Sequence, residues 1–326
     1  MIFYSPIERL AVRLQHCPGI GPAALRALLA QVEDSGLSPQ DWLDQTDAVL
    51  QSRFGLKPAA LLALRQQEES MDELMERLAA MSIRILVSPA EPYPRRLVSL
   101  LGSSAPPLLY ALGNLDLCDQ PAVGFCGSRK ASPKGLAVTQ ECASLLAGAG
   151  VNVVSGYAGG VDLAAHEAAL AAGGSTTLVL AEGILHFRVK QVLRPYLTSG
   201  STGLHLVVSE FPPSLAWKAH NAMTRNRTIC GLSQALIVIE SGLEGGTFEA
   251  GKTALKLGEP LFCVEYAEPA PSAAGNPWFL SMGARSIKRS RAGHPNLTEV
   301  LTAARSAMTL PADSHETFLL REEPPE

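Results

Sequence analysis

Apolar side chains recur three and four positions apart in the first eighty or so residues, in Leu10-Ala11-Val12-Arg13-Leu14 and again in Ala24-Leu25-Arg26-Ala27-Leu28-Leu29. That spacing predicts helices with one buried face. Prolines then crowd residues 85–120, in Ser88-Pro89-Ala90-Glu91-Pro92-Tyr93-Pro94 and Ala105-Pro106-Pro107. This stretch reads as a lead-in that fastens a small domain to a larger one, with Leu108-Leu109-Tyr110-Ala111-Leu112 as a short strand inside it. From Pro121 the pattern changes to short apolar runs alternating with amphipathic segments. Strands are expected at 122–126, 151–155, 176–181, 204–209, 235–240 and 260–264, and helices at 135–149, 161–172 and 246–257.

Strands that alternate with helices form a parallel sheet covered on both faces. The expected fold is therefore α/β, a Rossmann-like, doubly wound and mostly parallel sheet, behind a small all-helical N-terminal domain. Residues 1–84 make the helical domain and residues 85–295 the sheet domain with its lead-in. Residues 296–326 make a short helix and an acidic tail whose last dozen residues are expected to be disordered.

Between the first two helices lies Cys17-Pro18-Gly19-Ile20-Gly21-Pro22. Two glycines permit a tight turn and Pro22 suits the first position of the next helix, which is a helix-hairpin-helix pattern. Backbone N–H groups of such a turn hold a DNA phosphate without reading sequence, although the same turn also serves as a plain corner.

Charge at first argues against a nucleic-acid partner, because the chain carries a formal −4. Its distribution changes that reading. From Gly293 onward there are two basic and six acidic residues, so the rest of the chain is neutral overall. Basic residues cluster there at Arg129-Lys130, at Arg225 and Arg227, and along Arg285-Ser286-Ile287-Lys288-Arg289-Ser290-Arg291. Six scattered cysteines form no C-x-x-C pair, so neither a disulfide framework nor a metal is expected. No apolar run is long enough to span a membrane and no leader is evident at the start, which points to the cytoplasm.

The chemistry concentrates in turns that follow strands. Gly124-Phe125-Cys126-Gly127-Ser128-Arg129-Lys130 combines close backbone approach, a hydroxyl and a bidentate guanidinium. It lacks the G-x-G-x-x-G fingerprint, and the second strand does not end in an acid, so no dinucleotide cofactor is expected. Ser155-Gly156-Tyr157-Ala158-Gly159-Gly160-Val161-Asp162 follows the second strand, with His166 one turn beyond Asp162 and able to pair with it. Met223-Thr224-Arg225-Asn226-Arg227 brings two guanidinium groups and an amide toward the same edge. Glu240-Ser241-Gly242-Leu243-Glu244-Gly245-Gly246-Thr247 repeats the device of glycines and a hydroxyl at a helix entrance.

These residues resemble the DprA/Smf family from about Pro92 to Arg289. The match runs through Gly127-Ser128-Arg129, Ser155-Gly156-Tyr157-Ala158-Gly159-Gly160-Val161-Asp162 with Ala165-His166, and Ser209-Glu210-Phe211-Pro212-Pro213. It continues through Arg225-Asn226-Arg227-Thr228-Ile229-Cys230-Gly231-Leu232-Ser233, Gly275-Asn276 and Gly283-Ala284. The helical forepart with its hairpin is similar to the SAM-like forepart of that family. The resemblance implies a homodimeric protein that binds single-stranded DNA in natural transformation, protects it and assists loading of the RecA recombinase, without catalytic residues. Together with the turns above it gives an expected nucleic-acid-binding set of Gly127, Ser128, Arg129, Lys130, Ser155, Gly156, Asn221, Arg225, Asn226, Arg227, Gly246 and Thr247. The family commonly has a base-stacking aromatic where this chain has Ala222, and Phe211, Phe187 and Trp217 are the candidates to replace it.

Two other functions compete. Gly245-Gly246-Thr247-Phe248-Glu249 resembles the P-G-G-x-G-T-x-x-E turn of the lysine-decarboxylase-like nucleotide phosphoribohydrolases, but its glutamate falls one residue early. On a helix that is a rotation of roughly 100° away from the expected site. A sensor for a small signalling nucleotide is the other.

Overall fold

The computed structural model describes residues 2–66, 68–197, 203–290 and 293–306. The N-terminal helices are α1 (Pro6–Gln15), α2 (Pro22–Asp34), α3 (Pro39–Leu43), α4 (Asp47–Phe54), α5 (Pro58–Gln66) and α6 (Glu68–Ala80). Local chemistry sets their ends. Ser5 and Glu8 form a reciprocal capping box at α1, and α2 starts on Pro22 after Gly21. Between α1 and α2, Gly19 takes the left-handed backbone of the hairpin, with φ of 78°.

Nine strands form one sheet in the order β1-β2-β6-β5-β4-β3-β7-β8-β9. They are β1 (Arg84–Val87), β2 (Leu108–Gly113), β3 (Ala122–Cys126), β4 (Asn152–Ser155), β5 (Thr176–Val179), β6 (His205–Ser209), β7 (Ala235–Val238), β8 (Leu261–Val264) and β9 (Arg285–Ile287). β6 through β9 run parallel, while β2 lies antiparallel to β6 and β1 antiparallel to β2. The sheet is therefore mostly parallel and doubly wound, as its alternating pattern implies.

Side chains leave each strand on alternate faces, and the core divides accordingly. On one face α8 (Pro133–Gly148), α9 (Val161–Ala171) and α13 (Thr298–Ser306) cover Val123, Phe125, Val153 and Ile237. The N-terminal helices continue that layer over Tyr110, Leu178 and Val207, so their core runs without a break into that of the sheet. On the other face α7 (Arg95–Leu101), α10 (Ala219–Gly231), α11 (Gly246–Lys256) and α12 (Asn276–Ser281) cover Val154, Val208, Leu236 and Val238. Each apolar side chain buried this way contributes about 1.5–3 kcal/mol.

The pattern of apolar positions misses β1, β9, α10 and the short helices α7 and α12. β1 and β9 are short edge strands of four and three residues, too brief to show alternation. The arginine-rich segment, to which no element was assigned, is helix α10. The strand expected at 235–240 ends at Val238 because Glu240 turns away to take other partners. Its carboxylate accepts from Ser132 N–H at 2.8 Å and from Ser272 Oγ at 2.7 Å, and its carbonyl accepts from Ser128 N–H at 2.9 Å. The helix expected after residue 295 is α13, while the last dozen residues lie outside the described ones. Among the described residues no helix is long and apolar enough to cross a membrane.

Candidate functional site

The strand order reverses direction at β3, with β4, β5 and β6 on one side and β7, β8 and β9 on the other. Loops that leave neighbouring strands at such a reversal diverge, and a crevice opens beyond the carboxyl ends. Here the crevice is a cavity of about 400 Å³ between the loop after β3 and the loop after β7. Gly127, Ser128, Arg129, Arg225, Asn226, Gly246 and Thr247 all line it. Seven members of the expected set thus share one space, although they come from three separate stretches of chain.

Each wall has a local cause. Ser128 is fixed by its N–H bond to Glu240, and its Oγ accepts the Lys130 N–H at 3.0 Å. α11 begins on Gly246 and Thr247 after Gly245, and no side chain caps its first N–H groups. Those donors carry the positive end of the helix dipole, which favours an anion. Asn226 donates from Nδ2 to Gly246 O at 3.1 Å and so ties α10 to the start of α11.

The two arginines differ in kind. Arg129 is exposed, and its guanidinium carbon lies 5.4 Å from the centroid of the Trp217 ring. Arg225 is only 6% exposed and donates from Nη1 to Val179 O at 2.8 Å, while its Nε has no hydrogen-bond partner among the described residues. Burial pushes its pKa down, and the neighbouring carboxylates of Asp162 and Glu210 oppose that shift. Gly156 packs against Arg225, where a Cβ would collide with Nη1, and it does not line the cavity. Asp162 and Glu244 also face the cavity, so its two positive side chains meet two negative ones. What distinguishes an anion subsite is therefore position: guanidinium, hydroxyl and helix N–H groups all face one space.

Other expected members lie elsewhere. Ser155 is fully buried and donates to Phe125 O at 2.7 Å, which makes it a brace between β4 and β3. Asn221 is buried in α10 with no partner for Nδ2 among the described residues, and is not part of the lining. Arg227 donates back to Thr224 O at 3.4 Å, and its charge acts on Glu210. Lys130 is exposed just outside the cavity rim.

His166 corrects a further expectation, since it does not bond to Asp162. Its ring is fully buried, with Nε2 2.5 Å from Gly156 O and Nδ1 2.6 Å from Thr176 Oγ1. Burial lowers its pKa to about 4, so the ring is neutral. Asp162 accepts instead from Ala158 N–H at 3.2 Å, holding the turn that precedes α9. Glu249 lies outside the cavity lining and pairs with Lys252 at 2.7 Å. Among the described residues no cluster of three or more His, Cys, Asp or Glu is placed to hold a metal.

Of the three aromatic candidates, Phe211 is buried and Phe187 rests against Tyr157, with ring centroids 5.3 Å apart. Trp217 alone of the three is exposed beside Arg129 and Ala222. Sequence reasoning did not find Glu182, which stands close to Trp217, or Glu240, which supports the Ser128 loop. A carboxylate directly after an apolar strand was the only signal for either.

Known proteins resemble this chain in sequence and in fold. Residues 84–294 match the family described as DNA recombination-mediator protein A. Protein Smf of Synechocystis is 28% identical over 262 residues, which is 79% of this chain and 64% of that protein, so the match spans slightly under two thirds of that relative. The X-ray structure of DNA processing protein A from Streptococcus pneumoniae superposes with a TM-score of 0.68 at 25% identity, covering 88% of this chain and 95% of that one. DNA processing protein A from Helicobacter pylori, whose structure was described for its single-stranded DNA binding mode, gives a TM-score of 0.54 at 26% identity over 63% of this chain and 91% of that one.

Proposed function

The chain belongs to the DNA recombination-mediator protein A family, and from that premise we propose that it binds single-stranded DNA by its backbone in the cavity between β3 and β7. One observation carries the reading. Arg129, Arg225 and the uncapped start of α11 share a single space at the point where the strand order reverses. Phosphate contacts of this kind position a strand without reading its sequence. The similar Helicobacter pylori protein, described for its single-stranded DNA binding, supports the choice of ligand.

In this reading the protein is a binder and not a hydrolase. The position of Glu249, paired with Lys252 away from the cavity, supports that choice. Protection of the strand, homodimerisation and assistance to the RecA recombinase complete the proposed role, and they rest on family membership.

A titration tests it. Fluorescence anisotropy is measured with a short labelled oligothymidylate and with the matching duplex at two salt concentrations. The single strand is expected to bind more tightly, with affinity falling as salt rises. Arg129→Ala is expected to weaken binding and to reduce the salt slope by about 1. Equal affinity for both forms, or a slope unchanged in the variant, contradicts the proposal.

A further inference from the structure

The Arg129–Arg225 space has a second lobe of about 160 Å³, whose walls include Tyr157, Glu182, Trp217 and Ala222. It shares both arginines with the larger lobe but offers different chemistry. The larger lobe presents backbone amides and hydroxyls. The smaller presents an indole that is 47% exposed and a half-buried carboxylate.

Backbone bonds fix the spacing of these two groups. Gly183 donates to Leu215 O at 2.8 Å and Leu185 to Pro213 O at 3.0 Å, which laces the loop after β5 to the loop that carries Trp217. Ser209 Oγ donates to Glu182 O at 2.6 Å from the end of β6. A Cβ on Gly183 would fall 2.2 Å from Pro213 O, so a larger residue there drives the two loops apart. The indole and the carboxylate are thus held in place before any ligand arrives, which lowers the cost of binding.

The Glu182 carboxylate takes no hydrogen bond among the described residues. Lys190, whose charge interacts with it, has its ammonium on Tyr157 O at 2.7 Å and over the Tyr157 ring, 4.4 Å from the centroid. The carboxylate accepts hydrogen bonds and donates none. Cytosine presents an exocyclic amino group where thymine presents a carbonyl oxygen, so the first satisfies a carboxylate and the second is repelled by it. The indole offers a stacking face to either.

We propose that the Trp217–Glu182 lobe is a base pocket that favours amino-bearing bases over thymine, while the adjoining lobe holds the phosphate of the same strand. This rests on the single-strand reading above and adds a base preference to it.

The test compares oligodeoxycytidylate with oligothymidylate of equal length, pyrimidines of similar size, by fluorescence anisotropy on the full chain. Wild-type protein is expected to bind the cytosine strand on the order of tenfold more tightly. Glu182→Gln is expected to remove the difference, since a carboxamide both donates and accepts. Trp217→Ala is expected to weaken both strands, and Trp217→Phe to restore them. Equal wild-type affinities, a preference that survives Glu182→Gln, or a Trp217→Ala variant that binds both strands normally overturns the base pocket alone. Failure of wild-type protein to bind either strand overturns the single-strand reading itself.

Discussion

A Cβ on Gly156 would lie 2.0 Å from Nη1 of Arg225 and 2.4 Å from the Asp162 carboxylate. The glycine therefore exists so that a buried guanidinium can occupy the end of β4 and face a carboxylate there. Gly156→Ala forces the guanidinium out or bends the turn, and overpacking of this kind costs about 1–3 kcal/mol. Urea denaturation is expected to report a loss in that range. Unchanged stability means the contact does not constrain the fold.

Arg225 and Arg129 are expected to separate when stability and binding are measured together. Arg225→Ala leaves Asp162 and Glu210 without the positive charge whose field acts on them. It also removes the bond to Val179 O, and a hydrogen bond from a charged group contributes about 1.5–3 kcal/mol. Arg129→Ala removes an exposed side chain, for which a change within about 0.5 kcal/mol is usual. A large stability loss in Arg129→Ala would assign that residue a structural role.

His166 gives the fold a pH dependence of known sign. Its pKa is about 4 in the folded protein against an ordinary value of 6.5, because burial disfavours the charged ring. Below pH 6.5 the unfolded chain takes up a proton that the folded chain refuses. Stability is thus fully present above about pH 6.5 and is lost progressively toward pH 4, by about 3 kcal/mol in total. In His166→Gln the stability curve between those limits is expected to be flatter than in wild type. Parallel curves contradict this.

Asn226 is expected to affect binding through geometry. Asn226→Ala removes the bond to Gly246 O that ties α10 to the start of α11. A bond of this kind contributes about 1 kcal/mol. Affinity for a single strand should fall while the salt slope stays as in wild type, because no charge is removed. A slope reduced as much as in Arg129→Ala would contradict this, because it means that a cationic phosphate contact is lost with the tie.

The sheet was legible because its strands are continuous apolar runs such as 122–126 and 235–238. α10 was not, since its buried face carries Asn221, Arg225 and Asn226, which are polar residues at 2%, 6% and 7% exposure. Periodicity assigns such side chains to solvent. The convergence of Arg129 and Arg225 could be inferred from turns that share one sheet edge. The burial of Arg225, the brace made by Ser155 and the partners of His166 depend on contacts between distant segments. So does the pairing of Trp217 with Arg129, which joins the loop after β6 to the loop after β3.

Hydrogen exchange of backbone amides with and without single-stranded DNA locates the strand most directly. Added oligonucleotide is expected to protect the loop at 127–130 and the helix start at 245–248, which form opposite walls of the β3–β7 cavity. Protection confined to the hairpin at 17–22, with both walls exchanging as in the free protein, would contradict the placement of the strand in that cavity.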